Sequence, residues 1–492
     1  MSEYDVIVVG TRVAGAATAM LLARRGLRVL AVDRASFPSD TLSTHQLQVP
    51  GVARLRRWGL LDRLVAQGTP ATRRVRFDAG GVTLEGTYPA YDGVDALYSP
   101  RRTVLDALLV DAAREAGVEV RERYAVEELL GDDHRVTGIR GARRGASGGR
   151  ATDTARLVVG ADGKRSLVAR TVGARAYRSQ PARTFAVYGY WSGLEDQGGE
   201  LYQRPGLAVP AFPTNDGLTM ICVLAPLDEL TRFRRDPHGR VLEALDACGD
   251  LGERARDGVL VERLRFAPDL PQEFRVPHGP GWALVGDAGL VLDPISAMGI
   301  SHAFRDAEML TDAVADAHRD GRPLHSGPAA YHRRRDSQSR SMFDFTARLT
   351  ADLARRRPLP IGQRALLRSL VDRPQEISRF LGVLAGVESP DRYRSARNVA
   401  RLLLGRAMRT LGAAVAGPEL ASGSRFARGA AARDALREPH EQHGEHDLDE
   451  VSGPVDALRV ADTEPVGDDP AEGRRDNADE NRHECRDVLP AR

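Results

Sequence analysis

Residues 4–33 read YDVIVVGTRVAGAATAMLLARRGLRVLAVD, and this stretch decides the fold of the amino-terminal part of the chain. Its composition predicts, in order, a strand, a turn, a helix and a strand at residues 4–9, 10–15, 16–25 and 27–32. Gly10 permits the tight turn, and the helix amino terminus offers free N–H groups to a pyrophosphate. Gly15 lets the helix pack closely, and Asp33 is spaced to accept a ribose hydroxyl. The stretch therefore predicts a dinucleotide site.

One position in the turn departs from the usual glycine pattern. Arg12 stands where a middle glycine would let the backbone approach the phosphates closely. Its guanidinium could offset the lost approach by lying near the phosphates itself.

Two later segments repeat the pattern of a buried strand that ends in a glycine and an acid. They are LVVGADGKRS at residues 157–166 and WALVGDA at residues 282–288. The second continues through Asp293-Pro294 to Gly299-Ile300-Ser301 and a helical stretch at 303–314. Together with residues 4–33, they form three segments in a fixed order, here called the first, second and third motif segments.

On these three segments the chain resembles the FAD-dependent monooxygenases of the p-hydroxybenzoate hydroxylase type. That superfamily includes the flavin halogenases and the geranylgeranyl reductases, and the resemblance covers residues 4–340. A Rossmann-like domain for nicotinamide is the alternative, but it does not explain the second and third segments. The resemblance implies FAD as cofactor, NADPH or NADH as reductant and O₂ as co-substrate.

The resemblance also implies a reaction, in which a flavin C4a-hydroperoxide passes an oxygen atom to an electron-rich substrate. We expect an NAD(P)H-driven monooxygenase that hydroxylates or epoxidises an aromatic or polyketide-like small molecule, in bacterial secondary metabolism. The alternatives are a reductase that saturates an alkene, like the geranylgeranyl reductases, and a flavin-binding protein without turnover. Halogenases of this superfamily need a lysine between flavin and substrate. The only lysine of this chain, Lys164, lies in the second motif segment, which argues against halogenation.

The expected fold class is α/β, with a Rossmann-like FAD-binding domain interleaved with a mostly antiparallel substrate-binding sheet. The FAD-binding domain is predicted at residues 1–74, 97–175 and 272–345, and the substrate domain at residues 75–96 and 176–271. Residues 346–430 are predicted as a C-terminal helical region and residues 431–492 as a disordered acidic tail. Residues 52–67 are predicted as a helical stretch and residues 215–217 as a hairpin turn.

The resemblance assigns roles to residues in these segments. Asp287 corresponds to the aspartate that binds the ribityl chain, and a helix beginning at Gly299 would stabilise negative charge on the reduced ring. Asp162 either contacts the cofactor or caps a helix. Arg102 begins the Arg-x-x-Leu pattern of an FAD-contacting arginine, although Arg101 beside it leaves the register open. The predicted cofactor-binding residues are Gly10, Arg12, Ala14, Gly15, Asp33, Arg34, Thr44, His45, Arg102, Asp162, Gly286, Asp287, Pro294, Gly299 and Ile300.

Three residues are candidates for catalysis or substrate contact. His45 lies in the segment 37–46, which runs beside the flavin in the resembling proteins, and it is the candidate acid–base residue; a structural role is the alternative. Tyr188 and Tyr190 alternate along one predicted strand, so they share a face. That face lies either toward the substrate or in ordinary sheet packing.

Composition argues against several function classes. The chain shows no apolar stretch of transmembrane length and no signal peptide, so we expect a cytoplasmic protein without membrane insertion. Its three cysteines are widely spaced and its histidines match no metal site. From Asp434 to Arg492 there are 18 acidic and 7 basic residues against a net charge of +2, so the rest is positive and suits anionic cofactors. Without interleaved aromatic residues, the arginines do not predict nucleic-acid binding.

Overall fold

The computed structural model of the protein describes residues 3–132, 134–143 and 150–415, with side chains up to residue 405. The predicted acidic tail, 431–492, lies outside the described residues, and so does the end of the predicted helical region, 416–430.

The strands within these residues are β1 (Tyr4–Val9), β2 (Val29–Val32), β3 (Ala71–Thr72), β4 (Arg74–Ala79), β5 (Val82–Thr87), β6 (Leu97–Tyr98), β7 (Glu119–Arg121), β8 (Tyr124–Gly131), β9 (Val136–Arg143), β10 (Ala151–Gly160), β11 (Ala176–Gln180), β12 (Thr184–Ser192), β13 (Gly199–Arg204), β14 (Leu207–Pro213), β15 (Thr219–Pro226), β16 (Val259–Leu260), β17 (Arg265–Ala267), β18 (Gln272–Arg275), β19 (His278–Gly279), β20 (Trp282–Leu284) and β21 (Leu290–Val291). The α-helices are α1 (Val13–Arg24), α2 (Val49–Arg57), α3 (Leu61–Ala66), α4 (Arg102–Glu115), α5 (Leu167–Thr171), α6 (Leu230–Arg235), α7 (Pro237–Asp246), α8 (Leu251–Asp257), α9 (Gly299–Arg319), α10 (Pro328–Ala354), α11 (Ile361–Leu370), α12 (Pro374–Leu384), α13 (Pro390–Tyr393) and α14 (Ala396–Val415).

The central sheet brings the three motif segments side by side. Its strand order is β19-β20-β10-β1-β2-β7, and the strands from β20 to β7 run parallel to their neighbours. Val9 at the end of β1 pairs with Gly160 at the end of β10, and Gly160 pairs with Leu284 of β20. Because parallel strands present their carboxyl ends at one edge, the residues that follow these three strands meet there.

A second, mostly antiparallel sheet has the strand order β16-β12-β15-β14-β13-β4-β5, and β17 also pairs with β12. One of its faces packs against α6–α8 through residues such as Phe233 and Leu245. The opposite face carries Tyr188 and Tyr190, which cluster with Ile295 from the third motif segment. The face with the two tyrosines is therefore the one next to the cofactor segments.

The predicted fold class is confirmed, since a parallel sheet flanked by helices is joined to an antiparallel sheet. The helical stretch predicted at 52–67 is divided in the structure: Gly59, between α2 and α3, has φ +76 and separates the two helices. Helices α6–α8 are absent from the sequence-based expectation, and their apolar residues pack against the antiparallel sheet. Among the described residues, no helix combines the length and apolar character needed to cross a bilayer.

Candidate active site

The glycine turn after β1 is packed without spare room. Gly10 has φ +96, and a Cβ added to Gly15 would lie 1.7 Å from the carbonyl oxygen of Gly10. A Cβ on Gly286 would lie 2.7 Å from the Cβ of Ala14, so the first and third motif segments touch. The missing side chains are what allow these segments to approach one another.

Asp33 is buried and holds the same turn from the end of β2. Its two carboxylate oxygens accept backbone hydrogen bonds from Thr11 at 2.7 Å and from Ala35 at 2.8 Å. Each carboxylate oxygen has a further lone pair, so this geometry still permits acceptance from a ribose hydroxyl.

Asp287 lies in a turn of 3-10 helix, Gly286–Ala288, that follows β20. Its side chain is exposed, and its carboxylate makes no hydrogen bond within the described residues. The surrounding protein nevertheless raises the pKa of Asp287 by desolvation, opposed by the charges of Arg102 and Lys164. The Asp287 side chain is therefore accessible although protein surrounds it closely enough to disfavour its charge. The residues present therefore fit a cofactor that would supply Asp287 with a hydroxyl donor.

The amino terminus of α9 opens into the same region. Gly299 begins α9 and is exposed, and a Cβ built there would meet no atom within 4 Å. Ile300 is buried, and Pro294 begins the 3-10 turn Pro294–Ser296 just before the helix. The carboxylate of buried Asp293 accepts from Thr184 and from the backbone of Ile295, while burial raises the pKa of Asp293 to about 6. A 21-residue helix thus directs its positive dipole end into open space.

Two roles were predicted for Asp162, contact with the cofactor and capping of a helix, and its observed contacts are those of a cap. Its carboxylate accepts from the backbone of Leu167 at 2.6 Å and from the hydroxyl of Ser166, which in turn caps α5. The Lys164 ammonium donates to the carbonyl of Asp269. The side chain of Asp162 is therefore already used by the protein at the start of α5.

Arg12 and Arg102 share one buried carboxylate. The Arg12 guanidinium donates to Asp106 at 2.6 Å, and Arg102 donates to the same carboxylate at 2.9 to 3.0 Å. Asp106 is fully buried on α4, where it lies one helical turn after Arg102. Arg12 also donates to Ser39 and to the backbone of Asp40 at 3.2 to 3.3 Å, so its described contacts are with protein groups. The prediction that the Arg12 guanidinium lies near the phosphates stays a prediction.

His45, Tyr188 and Tyr190 come together although 145 residues separate the histidine from Tyr190. His45 Nε2 is hydrogen-bonded to the Tyr190 hydroxyl, the two rings stack at 5.7 Å, and Tyr188 meets His45 edge-on at 5.8 Å. Burial, followed by the charges of Arg102 and Arg101, lowers the pKa of His45 to about 3. His45 is therefore neutral, and its buried Nδ1 has no hydrogen-bond partner among the residues that the structure describes.

The tyrosines of this cluster are also held as neutral phenols. Burial raises the pKa of Tyr188 to about 12, and it raises that of Tyr190 further. The Ser43 backbone approaches the Tyr188 hydroxyl without meeting hydrogen-bond geometry. The Arg101 guanidinium lies 4.4 Å from the centre of the Tyr190 ring. This position distinguishes Arg101 from Arg102, which points to Asp106.

Two predicted residues make few contacts. Arg34 is exposed and makes no side-chain hydrogen bond within the described residues. Thr44 is half-buried, and its backbone carbonyl accepts from Gln46 at 2.7 Å. Asp40, Asp106 and Arg265 are absent from the sequence-based set; the four-residue spacing of Arg102 and Asp106 was the one signal available.

Comparison with known proteins gives one family and a consistent group of relatives. Residues 3–192 match the FAD binding domain. A digeranylgeranylglycerophospholipid reductase of Methanothrix thermoacetophila is 29% identical over 357 residues, which cover 67% of this chain and 82% of the relative. A kynurenine 3-monooxygenase of Salinispora tropica is 28% identical over 346 residues, 64% of this chain and 73% of the relative. The flavin-dependent brominase Bmp2 shares the fold with a TM-score of 0.68 at 19% identity, over 83% of this chain and 99% of the brominase.

The match to the FAD binding domain includes the first two motif segments, at residues 4–33 and 157–166. Over about two thirds of its length the chain is similar to a reductase and to a monooxygenase. It is an FAD-dependent oxidoreductase, and the predicted resemblance and the predicted FAD cofactor are confirmed.

Proposed function

We propose that this protein is an NAD(P)H-driven monooxygenase that hydroxylates or epoxidises an aromatic or polyketide-like small molecule. The observation that carries the proposal is the neutral His45–Tyr190 pair on the sheet face next to the cofactor segments. The charge of Arg102 lowers the pKa of His45 and opposes the rise in the pKa of Asp287, so the histidine–tyrosine pair and Asp287 lie near the same arginine. A reactant bound between the histidine–tyrosine pair and the cofactor segments would contact both.

The chain's own groups account for cofactor binding under this proposal. Asp33 and the glycine turn would hold the adenosine half, Asp287 would accept from the ribityl chain, and the α9 terminus would face the ring. When bound, FAD supplies the redox chemistry that side chains cannot. We assign residues 1–74, 97–175 and 272–345 to this task, and residues 75–96 and 176–271 to the substrate.

The histidine–tyrosine pair would handle a substrate proton. A neutral imidazole that accepts the hydrogen bond of the Tyr190 hydroxyl at Nε2 carries its own hydrogen at Nδ1, which would donate to a further acceptor. The guanidinium of Arg101 over the Tyr190 ring stabilises negative charge that develops on that phenol. Tyr188 belongs to an apolar cluster with Met220 and Cys222, which would exclude water from the reacting atoms.

Alkene reduction is the second candidate, and the sequence relatives favour considering it. The reductase from Methanothrix matches this chain at least as well as the kynurenine monooxygenase does. A reductase would deliver a hydride to one alkene carbon and a proton to the other, without O₂, so it would need a proton donor but no group that accepts the proton of a phenol.

The deciding experiment measures oxygen. The FAD-loaded protein is mixed with NADH or NADPH and a panel of phenols and polyketides, and O₂ uptake and products are followed. We expect an aromatic compound to stimulate O₂ uptake and to gain one oxygen atom. Anaerobic saturation of a polyprenyl alkene would instead support the reductase, and a product that appears only with added bromide or chloride would identify halogenation.

Variants connect the activity to the proposed pair. We expect Tyr190→Phe and His45→Gln to lower kcat by roughly 100-fold or more, the usual contribution of a positioned acid–base group. Tyr91→Phe is the matched control, because Tyr91 is 40% exposed and lies outside the cluster. If Tyr190→Phe and His45→Gln both left kcat unchanged, the proton-handling role of the pair would be refuted, but the proposed monooxygenase activity would not.

A further inference from the structure

Residues 33–46, here called the linking segment, contain neither helix nor strand. Backbone hydrogen bonds with residues 121–124 hold the start of the segment at Asp33 and Ala35, and side-chain contacts must position its middle. Near its end lies His45, whose φ of +58 is in the left-handed region that a residue with a Cβ adopts at a cost. Something must hold the segment for His45 to keep that conformation.

On one side, the linking segment is attached to the cofactor turn. Arg12 donates to the Ser39 carbonyl at 3.3 Å, to the Ser39 hydroxyl at 3.2 Å and to the Asp40 carbonyl at 3.3 Å. Arg12 is itself held by fully buried Asp106 at 2.6 Å. The middle of the segment is thus tied to the glycine turn and to α4.

On the other side, the segment is attached to the antiparallel sheet. The Asp40 carboxylate forms an ion pair with Arg265 Nη1 at 2.8 Å, without the geometry of a hydrogen bond. Arg265 pairs in register with Tyr188, two residues from Tyr190 on β12. Arg265 also binds Glu262 at 2.9 Å, and Glu262 binds Arg101, which covers the Tyr190 ring.

These four charged groups alternate in sign along one path: Arg101, Glu262, Arg265 and Asp40. Their charges sum to zero, so each acid is compensated by a neighbouring arginine. The side chains of Asp40 and Arg265 are only 15% and 28% exposed, so water screens their attraction less than at the surface. The Asp40–Arg265 ion pair can therefore influence the position of the linking segment.

We propose that Asp40 is a positioning residue: through Arg265 it holds the linking segment against β12 and so keeps His45 on Tyr190. Its catalytic consequence rests on the proposed function, because there His45 and Tyr190 handle the substrate proton. The attachment itself is independent of which reaction the enzyme performs.

The test labels histidine in the FAD-loaded protein with diethyl pyrocarbonate and quantifies each site by mass spectrometry. We expect Asp40→Asn and Arg265→Gln each to speed acylation of His45 by about tenfold or more, because the segment detaches and exposes the ring. The double variant should be no faster than the singles, since both remove the same contact. Asp40→Glu keeps the charge and should restore most of the protection.

Two controls make the result specific. Buried His302 is an internal reference and should stay protected in every variant. Asp78→Asn breaks a comparable ion pair with Arg204, at 2.7 Å in the same sheet, and should leave His45 protected. Unchanged acylation of His45 in Asp40→Asn, or equal acceleration of His302, would overturn the inference.

A kinetic measurement separates this inference from the proposed function. If an aromatic probe supports O₂ uptake, we expect Asp40→Asn to lower kcat more than it raises KM, because the proton-handling pair is displaced. If no probe supports O₂ uptake, the proposed function fails while the labelling result still decides the role of Asp40. If oxygenation is found and labelling is unchanged, the positioning role alone is wrong.

Discussion

Replacing Asp287 by alanine should weaken FAD binding without harming the fold. The Asp287 carboxylate is exposed, makes no hydrogen bond within the described residues and has its pKa raised by desolvation. A raised folded-state pKa means that the folded protein binds this proton more tightly than the unfolded chain does. The resulting penalty is absent below the ordinary value of 3.8 and grows as the pH rises through and above it. At neutral pH the alanine variant therefore loses no net stabilisation, because desolvation of the carboxylate outweighs its attraction to Arg102 and Lys164.

The size of the effect on affinity follows from the bond that is lost. A hydrogen bond to a charged acceptor contributes about 1.5 to 3 kcal/mol. At about 1.4 kcal/mol for each factor of ten, the Kd for FAD should rise roughly 10- to 150-fold. Asp316→Ala is the matched control, because Asp316 is an exposed aspartate on α9 whose carboxylate binds Arg319 at 2.8 Å.

The assay is a titration of apoprotein with FAD, followed by flavin fluorescence, together with urea unfolding of the apoprotein. We expect Asp287→Ala to show the rise in Kd with equal or higher stability, and Asp316→Ala to show an unchanged Kd. A Kd within a factor of three of the parent value would refute the assignment of Asp287. A marked loss of apoprotein stability would show instead that the carboxylate has a structural role.

Three further changes test the fold and the site by urea unfolding. Gly15→Ala should destabilise the protein by about 3 kcal/mol or more, because its Cβ would lie 1.7 Å from a carbonyl oxygen, whereas Gly362→Ala has open space and should not. Ala297→Gly should stabilise it by up to about 1 kcal/mol, since Ala297 has φ +51; a loss of stability would argue against the left-handed conformation. Burial lowers the pKa of His45 to about 3, so protonation of this histidine favours the unfolded chain. Its contribution to the free energy of unfolding is therefore complete above pH 6.5 and falls by about 1.5 kcal/mol between pH 6.5 and pH 5. His45→Gln should remove that acid-dependent loss and exposed His238→Gln should not; equal pH dependence in both would contradict the burial of His45.

The parts of the site that the sequence predicts are those encoded by neighbours along the chain. The glycine turn, Asp33 and Gly286 lie in short patterns whose geometry follows from local steric rules, and each is found at the edge of the parallel sheet. Asp162 illustrates the limit of such patterns. Its position after β10 was predictable, but its use as a cap of α5 depends on how the next turn folds.

Contacts between distant segments were not predictable from local patterns. Nothing near Asp40 in sequence indicates that its carboxylate meets Arg265, and nothing near Arg12 indicates that its guanidinium binds Asp106. The two tyrosines on β12 were expected to share a face, but which face pointed toward the cofactor segments was open. A residue's partner across the fold is set by packing of whole elements, not by its own neighbourhood.

The sequence by itself determined the βαβ unit, the order of the three motif segments and the FAD-dependent superfamily, because strand, turn and helix signals act over a few residues. Tertiary structure alone decided that His45 meets Tyr190, that Arg101 and Arg102 point in different directions, and that Asp287 is left accessible. The physical reason is that burial and charge pairing depend on the packing of whole elements, which brings His45 and Tyr190 together across 145 residues of chain.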